Sequence, residues 1–324
     1  MVEPATALDD QIRTLFANAE RILILSHIRP DGDAVGSTLG LGLALQAAGK
    51  QVQMVLADGV IRTFKHLPGA DQILQQPAGE FDVLVTLDAS DPRRLGEPLE
   101  GRTPDLNIDH HVTNLNYGRL NLVVPEAVAT AAILAERLPL WGLSITPDAA
   151  AALLTGLLTD TIGFRTSNMN ADALRLGAML IDHGADLPEL YRRALIVRTY
   201  SATRYWGLGL SRLDRKGRLC WTSLTLEDRK QSGYQGNDDA DLTNILSSID
   251  ECDIVVLFIE QREGTVKVSW RSQPGYDVSQ LAFSFGGGGH SAAAGADIPG
   301  TLDEVRPRVL QATEALLKAA PAAA

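Results

Sequence analysis

The sequence predicts an α/β protein: an N-terminal domain built on a doubly wound, mainly parallel sheet, and a smaller α+β C-terminal domain, with a cleft between them. Three observations carry that expectation. The first half alternates short apolar runs with helical periodicities, the pattern of a parallel sheet made by right-handed crossovers. Beyond about residue 213 the pattern changes to closely spaced strand-like runs around a hairpin signal. A length of 324 residues is also long for one core, so two domains are expected.

Residues 8–19 read as a helix, ILILS (22–26) as a buried strand, residues 37–48 as a helix ending at Gly49, and QVQMVLAD (51–58) as another strand. FDVLVTLD (81–88) and PDLNID (104–109) follow, both short apolar runs ending in aspartate. Helices are expected over 128–138, 148–158 and 171–181, the last closed by Asp182, His183 and Gly184. Pro188 opens a long charged helical stretch without a compact apolar face. It reads as a connector over 187–212, between a first domain at 1–186 and a second at 213–324. There, RLCWTSL (218–224), DIVVLFIEQ (253–261) and TVKVSWRSQ (265–273) read as antiparallel strands, with Arg262, Glu263 and Gly264 as a hairpin turn. Helices are expected at 242–249 and 302–319, and the Ala/Pro tail after Leu317 as a frayed end.

Composition excludes some functions. A net charge of −11 argues against a broad electrostatic grip on long duplex nucleic acid, which needs many Lys/Arg-phosphate contacts. The apolar runs are broken well short of a membrane span, and the first residues carry acids rather than an export pattern, so a cytoplasmic protein is expected. Cys220 and Cys252 lie in apolar contexts and are expected as buried free thiols of a reducing compartment.

Ligands of a doubly wound sheet bind beyond the carboxyl ends of its strands. Four apolar runs end there in acids or histidine: His27, Asp31 and Asp33 after ILILS, Asp58 after VQMVL, Asp88 after VLVTL, and Asp109, His110 and His111 after LNI. Carboxylates packed this closely repel, and some would take up protons unless a cation sat among them. Asp with His and without Cys suits a divalent first-row ion, Mn²⁺ more naturally than Mg²⁺. The number of candidates favours two metals, the arrangement that clamps an in-line phosphoryl displacement. Each element also has a plainer reading: Pro-Asp-Gly is usually a turn, and a strand-end Asp is often a helix cap. Convergence of the whole set outweighs those readings, except at Asp58, which reads as a turn with Gly59. Asp182 and His183 read as a helix end favoured by the macrodipole, and Asp238, Asp239 and Asp241 as a solvated loop plus cap. Four glycines, from Gly286 to Gly289, let a backbone pass close to a ligand and aim amides at anionic oxygens, with a small helix-like run after His290. A flexible linker is the alternative.

The stretches SHIRPDGDAVGS (26–37), LDASDPRRLG (87–96), NIDHHVTNLNYG (107–118), GLLTDTIGFRTSN (156–168), VSWRSQ (268–273) and GGGGHSAAAG (286–295) resemble the DHH/DHHA1 phosphoesterases. Within them the chain is similar to the compact two-domain type that degrades very short RNAs and 3′-phosphoadenosine 5′-phosphate. Ile162 with Gly163, and Tyr117, depart slightly from that pattern. The resemblance implies one metal held by His27 and Asp31, another by Asp33, His110 and Asp160, and Asp88 bridging both. It puts Asp109 nearby, orienting the histidines or ligating weakly, and His111 facing the scissile phosphate, so that Asp88, Asp109 and His111 form the catalytic set. Asn114 and Arg165 would support the loop or the substrate. Ser269, Arg271, Ser272, Gly287, Gly288, Gly289 and His290 would hold the nucleotide.

The expected protein is therefore a two-metal phosphoesterase, loaded with Mn²⁺ or alternatively Mg²⁺ or Co²⁺. It would hydrolyse short oligoribonucleotides to mononucleotides, 3′-phosphoadenosine 5′-phosphate to AMP, or both. Its expected partners are short single-stranded RNA, dinucleotides or a nucleoside bisphosphate, with no long duplex and no membrane, and the connector helix could support a homodimer. The alternatives are a cyclic or linear dinucleotide phosphodiesterase, an inorganic pyrophosphatase, or a nucleotide sensor with a dead metal site. The pyrophosphatase resembles a different C-terminal domain, and no ligand is missing as a dead site would require.

Overall fold

The computed structural model describes residues 6–96, 101–262 and 264–319. The chain forms two compact units, Met1–Val197 and Arg198–Ala324.

The first unit opens with helix α1 (Ala7–Asn18) and carries strands β1 (Arg21–Leu25), β2 (Gln51–Val55), β3 (Val83–Leu87), β4 (Leu106–Asp109) and β5 (Leu120–Val123) in one sheet. The order is β2-β1-β3-β4-β5 and every neighbouring pair is parallel. β3 is buried along its whole length, which is why it reads as a nearly continuous apolar run, broken only by Thr86, rather than an alternation. From β1 the chain crosses to β2 on one side, then returns to β3 on the other. The carboxyl ends of β1 and β3 therefore flank the topological switch, the place where such sheets bind ligands. β5 was not expected, since four residues interrupted by Asn121 give little signal.

Helix α2 (Gly32–Ala47) is buried along nearly its entire length and packs on α4 (Pro147–Asp160). The approach is close because α2 carries Gly32, Gly36 and Gly40 at one-turn spacing. A Cβ on Gly36 would stand 2.5 Å from the Ala152 carbonyl oxygen, and one on Gly40 2.4 Å from Leu153 Cδ2. α2 starts at Gly32, not near residue 37 as expected, because Asp31 caps it: its carboxylate accepts the N–H groups of Asp33 and Ala34. α3 (Thr130–Arg137), α5 (Ala171–Asp182) and the short α6 (Leu187–Tyr191) complete the unit, with His183 and Gly184 ending α5 as expected.

The single connector helix expected over 187–212 is divided. After α6 and a π-helical turn at Arg192–Ile196, Val197 is extended, and α7 (Tyr200–Leu210) begins within the second unit, capped by Thr199.

The second unit has the strand order β10-β11-β9-β8-β7-β6. Its elements are β6 (Asp214–Lys216), β7 (Leu219–Leu224), α8 (Leu226–Ser232), α9 (Leu242–Leu246), β8 (Ile254–Glu260), β9 (Thr265–Ser272), α10 (Val278–Ser284), β10 (Gly288–His290), β11 (Ala293–Pro299) and α11 (Leu302–Ala319). Two expectations are corrected here. β7 and β8 are parallel rather than antiparallel, because α8 and α9 make a crossover between them. Ala292 to Gly295 are not helix-like: from Ala293 the chain forms β11, paired with β9 on one side and β10 on the other. The expected turn at Arg262 to Gly264 includes Glu263, which lies outside the described residues, as do residues 320–324 of the tail.

Cys220 and Cys252 are buried, but not as free thiols. They are joined as a disulfide with a Cα–Cα separation of 5.9 Å, because Cys252 leads directly into β8, the parallel neighbour of β7. Among the described residues no helix is long and apolar enough to cross a membrane.

Candidate metal centre

The backbone of the loop after β1 is held at two of its N–H groups. The N–H of Ile28 donates to the Arg94 carbonyl at 2.7 Å, and that of Arg29, at φ +54°, donates to the Asp58 carboxylate at 2.5 Å. Asp58, expected as a turn residue, thus buttresses the loop. His27 Nδ1 lies 2.8 Å from the Ile28 carbonyl oxygen, a pairing in which Nδ1–H donates and Nε2 keeps its lone pair. That Nε2 faces Asp31 at 3.7 Å and Asp88 at 3.5 Å. Asp31 holds the start of α2 with one oxygen and turns the other to His27.

Asp33, in the first turn of α2, ties two helices together. Its carboxylate accepts the N–H groups of Thr130 at 2.6 Å and Ala131 at 2.9 Å, at the head of α3, and the Ser37 hydroxyl at 3.2 Å. Asp88, just after β3, is 1% exposed and sits at φ +54°, a conformation a non-glycine residue keeps only when its surroundings impose it. Its N–H donates to the Ile108 carbonyl, and one carboxylate oxygen accepts the Thr130 hydroxyl at 3.1 Å. That oxygen faces His110 Nε2 at 3.7 Å while its twin faces His27, so Asp88 looks both ways.

After β4, His110 repeats the logic of His27: Nδ1 lies 3.2 Å from the Ala127 carbonyl, and Nε2 faces Asp160 at 3.4 Å. Asp109 differs. It is fully buried, and its oxygens accept the N–H groups of His110 and His111, the His111 Nδ1–H at 2.7 Å and the Asn114 amide at 2.5 Å. Three of these bonds fall on Oδ1 and one on Oδ2, and all four hold the loop that carries His111. Asn114 is committed likewise: it donates to Ala89 and Asp109 and accepts from Asn107 and Asn116. Arg165 is exposed on the turn after α4.

Asp160 does not follow a strand, so strand-end reasoning misses it. It closes α4, and the glycine seam of α2 brings it in: a Cβ on Gly32 would stand 2.3 Å from Thr159 Oγ1, one residue before Asp160. Thr130 was also missed; nothing in ATAAIL marks it as a partner of Asp88.

Three groups offer ligand atoms that all lie within 4.8 Å of one another: Asp88, His110 and His111; His27, Asp31 and Asp88; and Asp33, His110 and Asp160. Gaps of 3.4–3.7 Å between Nε2 and carboxylate are too long for hydrogen bonds. They fit donors placed around a shared cation, each at about 2.1 Å from it. Electrostatics agrees. Burial and the neighbouring Asp88 push the Asp33 carboxyl up to about 7, and burial with Asp33 raises Asp160 well above the usual range. Burial alone would lower His27, but Asp31 and Asp88 raise it to about 10; His110 likewise reaches about 9 through Asp88 and Asp160. Carboxylates and imidazoles gathered in this way favour bound positive charge, and divalent ions suit the donor set.

In the second unit, Arg271 lies on β9 and donates to the Trp270 carbonyl at 3.0 Å; burial lowers its pKa, opposed by Asp239 and Asp241. Ser269 is half-buried on the same strand. The Ser272 hydroxyl faces the carbonyls of Tyr276 and Ser291 at 3.1 and 3.3 Å, tying β9 to the neighbouring loops. The glycine run is a hairpin edge. A Cβ on Gly287 would stand 2.1 Å from the Gly295 carbonyl oxygen, and one on Gly289, at φ +142°, 2.5 Å from that of Ala293. Those two glycines are required by strand packing, whereas a Cβ on Gly288 meets nothing within 4 Å. His290 is exposed at the end of the same strand.

The parallel sheet with an Asp/His centre at its switch point, followed by a mixed-sheet domain, defines a metal-dependent hydrolase of phosphate esters. Residues 21–157 match the profile "DHH family, N-terminal domain" and residues 226–319 the "DHHA1 domain". A Thermus thermophilus protein named "Bifunctional oligoribonuclease and PAP phosphatase NrnA" is 40% identical over 298 residues, covering 90% of this chain and 88% of that one. The chain belongs to the DHH family of phosphoesterases. The crystal structure of an exopolyphosphatase-related protein from Bacteroides fragilis superposes with a TM-score of 0.88 at 28% identity, covering 97% of this chain and 96% of that one. RecJ from Thermus thermophilus, in complex with Mn²⁺, shares the fold, with a TM-score of 0.57 at 16% identity over 99% of this chain and 56% of that one.

Proposed function

We propose that the protein hydrolyses short oligoribonucleotides to mononucleotides and 3′-phosphoadenosine 5′-phosphate to AMP, as the name of the Thermus relative describes for that protein. The observation that carries this reading is the interlocking of the three Asp/His groups through Asp88 and His110. His27 and Asp31 would hold one ion, and Asp33, His110 and Asp160 a second, with Asp88 reaching both. Mn²⁺ is the proposed metal, in keeping with imidazole donors. Divalent ions held there supply Lewis acidity to the phosphate and to water.

The residues do the rest. Asp109 commits the Nδ1–H of His111, so Nε2 is the atom with which His111 meets a phosphate oxygen, donating when protonated. Thr130 and the head of α3 hold Asp88 and Asp33 in place without ligating. Asn114 serves by fixing the His111 loop, and Arg165 is assigned to the substrate's outer phosphates. In the second domain, Arg271 and His290 would bind the terminal nucleotide's phosphate or base, with Gly288 as the glycine whose open face admits a ligand. Ser269, Ser272, Gly287 and Gly289 shape that edge. The test is a panel assay of the metal-stripped protein with and without Mn²⁺, using a dinucleotide, a pentaribonucleotide, 3′-phosphoadenosine 5′-phosphate, cyclic di-AMP and pyrophosphate. Mn²⁺-dependent turnover of the first three, faster than of the last two, is expected; preference for either of the last two would overturn the assignment.

A further inference from the structure

His111 and Asn114 close a turn in which the N–H of Asn114 donates to the His111 carbonyl at 3.1 Å, with Val112 and Thr113 at its tip. Turn tips favour Pro, Asp, Asn, Ser and Gly. Val112 is nevertheless an aliphatic residue 73% exposed, and Leu115, directly after the turn, is 61% exposed. One exposed aliphatic side chain is ordinary. Two on a short segment beginning at His111 call for a reason, because the segment is held rigidly. Asn114 is bonded on both sides of its amide, the Leu115 N–H donates to the Ser90 carbonyl at 2.9 Å, and the Tyr117 hydroxyl donates to the Ala89 carbonyl at 2.8 Å. Ala89 and Ser90 directly follow Asp88. The hydrogen bonds that orient His111 therefore also hold these two side chains in water, within four residues of His111.

We propose that Val112 and Leu115 form an apolar rim that receives the base of a nucleotide adjoining the reacting phosphate. This rests on the nucleotide-hydrolase reading above and adds to it a sequence-blind contact. Aliphatic groups cover the face of any base by burial and dispersion but offer nothing to its hydrogen-bonding edges. An enzyme that takes mixed-sequence short RNA to mononucleotides needs that kind of contact. The rim also stands beside the phosphate-facing His111, so a base seated on it and a phosphate at the centre belong to neighbouring parts of one substrate.

The experiment compares wild type with the double variant Val112→Ser, Leu115→Ser on a pentaribonucleotide and on pentaribonucleotides with one abasic residue at either terminal position. On the intact substrate KM is expected to rise about tenfold with kcat changed less than about twofold, the scale of one lost base contact. For one of the two abasic substrates the same variant should change KM by less than about twofold, since the base it would have touched is gone. Val112→Ile with Leu115→Met, which restores apolar area, should keep the wild-type KM. Equal KM changes on all three substrates, or no change on the intact one, would overturn the rim, the former pointing to a general loop effect or a surface for another macromolecule. If wild type with Mn²⁺ cleaves none of the three, the nucleotide reading fails and the rim falls with it, an outcome separate from wild-type cleavage that the variants leave unaltered.

Discussion

The two ends of this chain that carry its motifs are built in opposite ways. At the switch point of the first sheet, His27, Asp33, Asp88, Asp109 and His110 are buried, and the protein fixes each of them from behind: carbonyls hold the imidazoles, helix N–H groups hold Asp33, and Thr130 holds Asp88. At the edge of the second sheet, Gly288, Gly289 and His290 are exposed and pair with β11 in an antiparallel ladder. The first is a preorganised cage for ions, where the energy of gathering like charges is met during folding. The second is an open backbone edge, whose shape is set by the absence of side chains. Substitutions are therefore expected to cost most at the first, and at the second the expected cost depends on which glycine is changed.

The largest effect is expected at the residue that looks both ways. Asp88→Ala should lower Mn²⁺-supported hydrolysis by at least about a thousandfold with the fold retained, as for loss of a central electrostatic group. Activity within about tenfold of wild type, measured on the pentaribonucleotide, would show that Asp88 is not shared between ions. Thr130→Val keeps shape and removes one hydrogen bond to Asp88. Metal affinity read by Mn²⁺ titration should fall about 10-fold, the usual cost of losing a ligand's supporting partner.

A third measurement separates ions from protons. Without metal, burial and Asp88 raise Asp33 from 3.8 to about 7. His27 and His110, against burial, are raised from 6.5 to about 10 and about 9 by surrounding carboxylates. In each case the folded state binds more protons than the unfolded one between the two values. Stability then falls as pH rises through that window. The Tm of the metal-stripped protein should decline from about pH 6 to about pH 9, and saturating Mn²⁺ should flatten the decline by replacing those protons. A metal-free Tm that is level over the range would contradict the crowding of charge in the cage. The smallest effects lie in the hairpin. Gly287→Ala should cost about 1–3 kcal/mol in urea unfolding, because its Cβ meets strand backbone, whereas Gly288→Ala should stay within about 0.5 kcal/mol. Equal costs at the two positions would erase the distinction between packing and ligand glycines.

Much of the centre was legible because parallel strands bring their carboxyl ends to one edge, so acids separated by many residues converge once the sheet is inferred. Asp160 came only through family resemblance, since a helix end has no such rule. It reaches the site because Gly32, Gly36 and Gly40 let α2 and α4 touch. The glycine-rich stretch was read as ligand chemistry, and for Gly287 and Gly289 packing against β11 is the stronger cause. The parallel pairing of β7 with β8 escaped because strand periodicity does not encode direction.

By itself the sequence determined which residue types stand at the strand ends, and therefore that imidazoles and carboxylates meet in one place without thiolates. The tertiary structure decided which atom of each residue faces inward. A carbonyl from Ile28 and another from Ala127 select Nε2 on two histidines, and both oxygens of Asp109 accept from the loop that carries His111. Those choices depend on hydrogen bonds between segments far apart in the chain, and no local pattern of residues carries them.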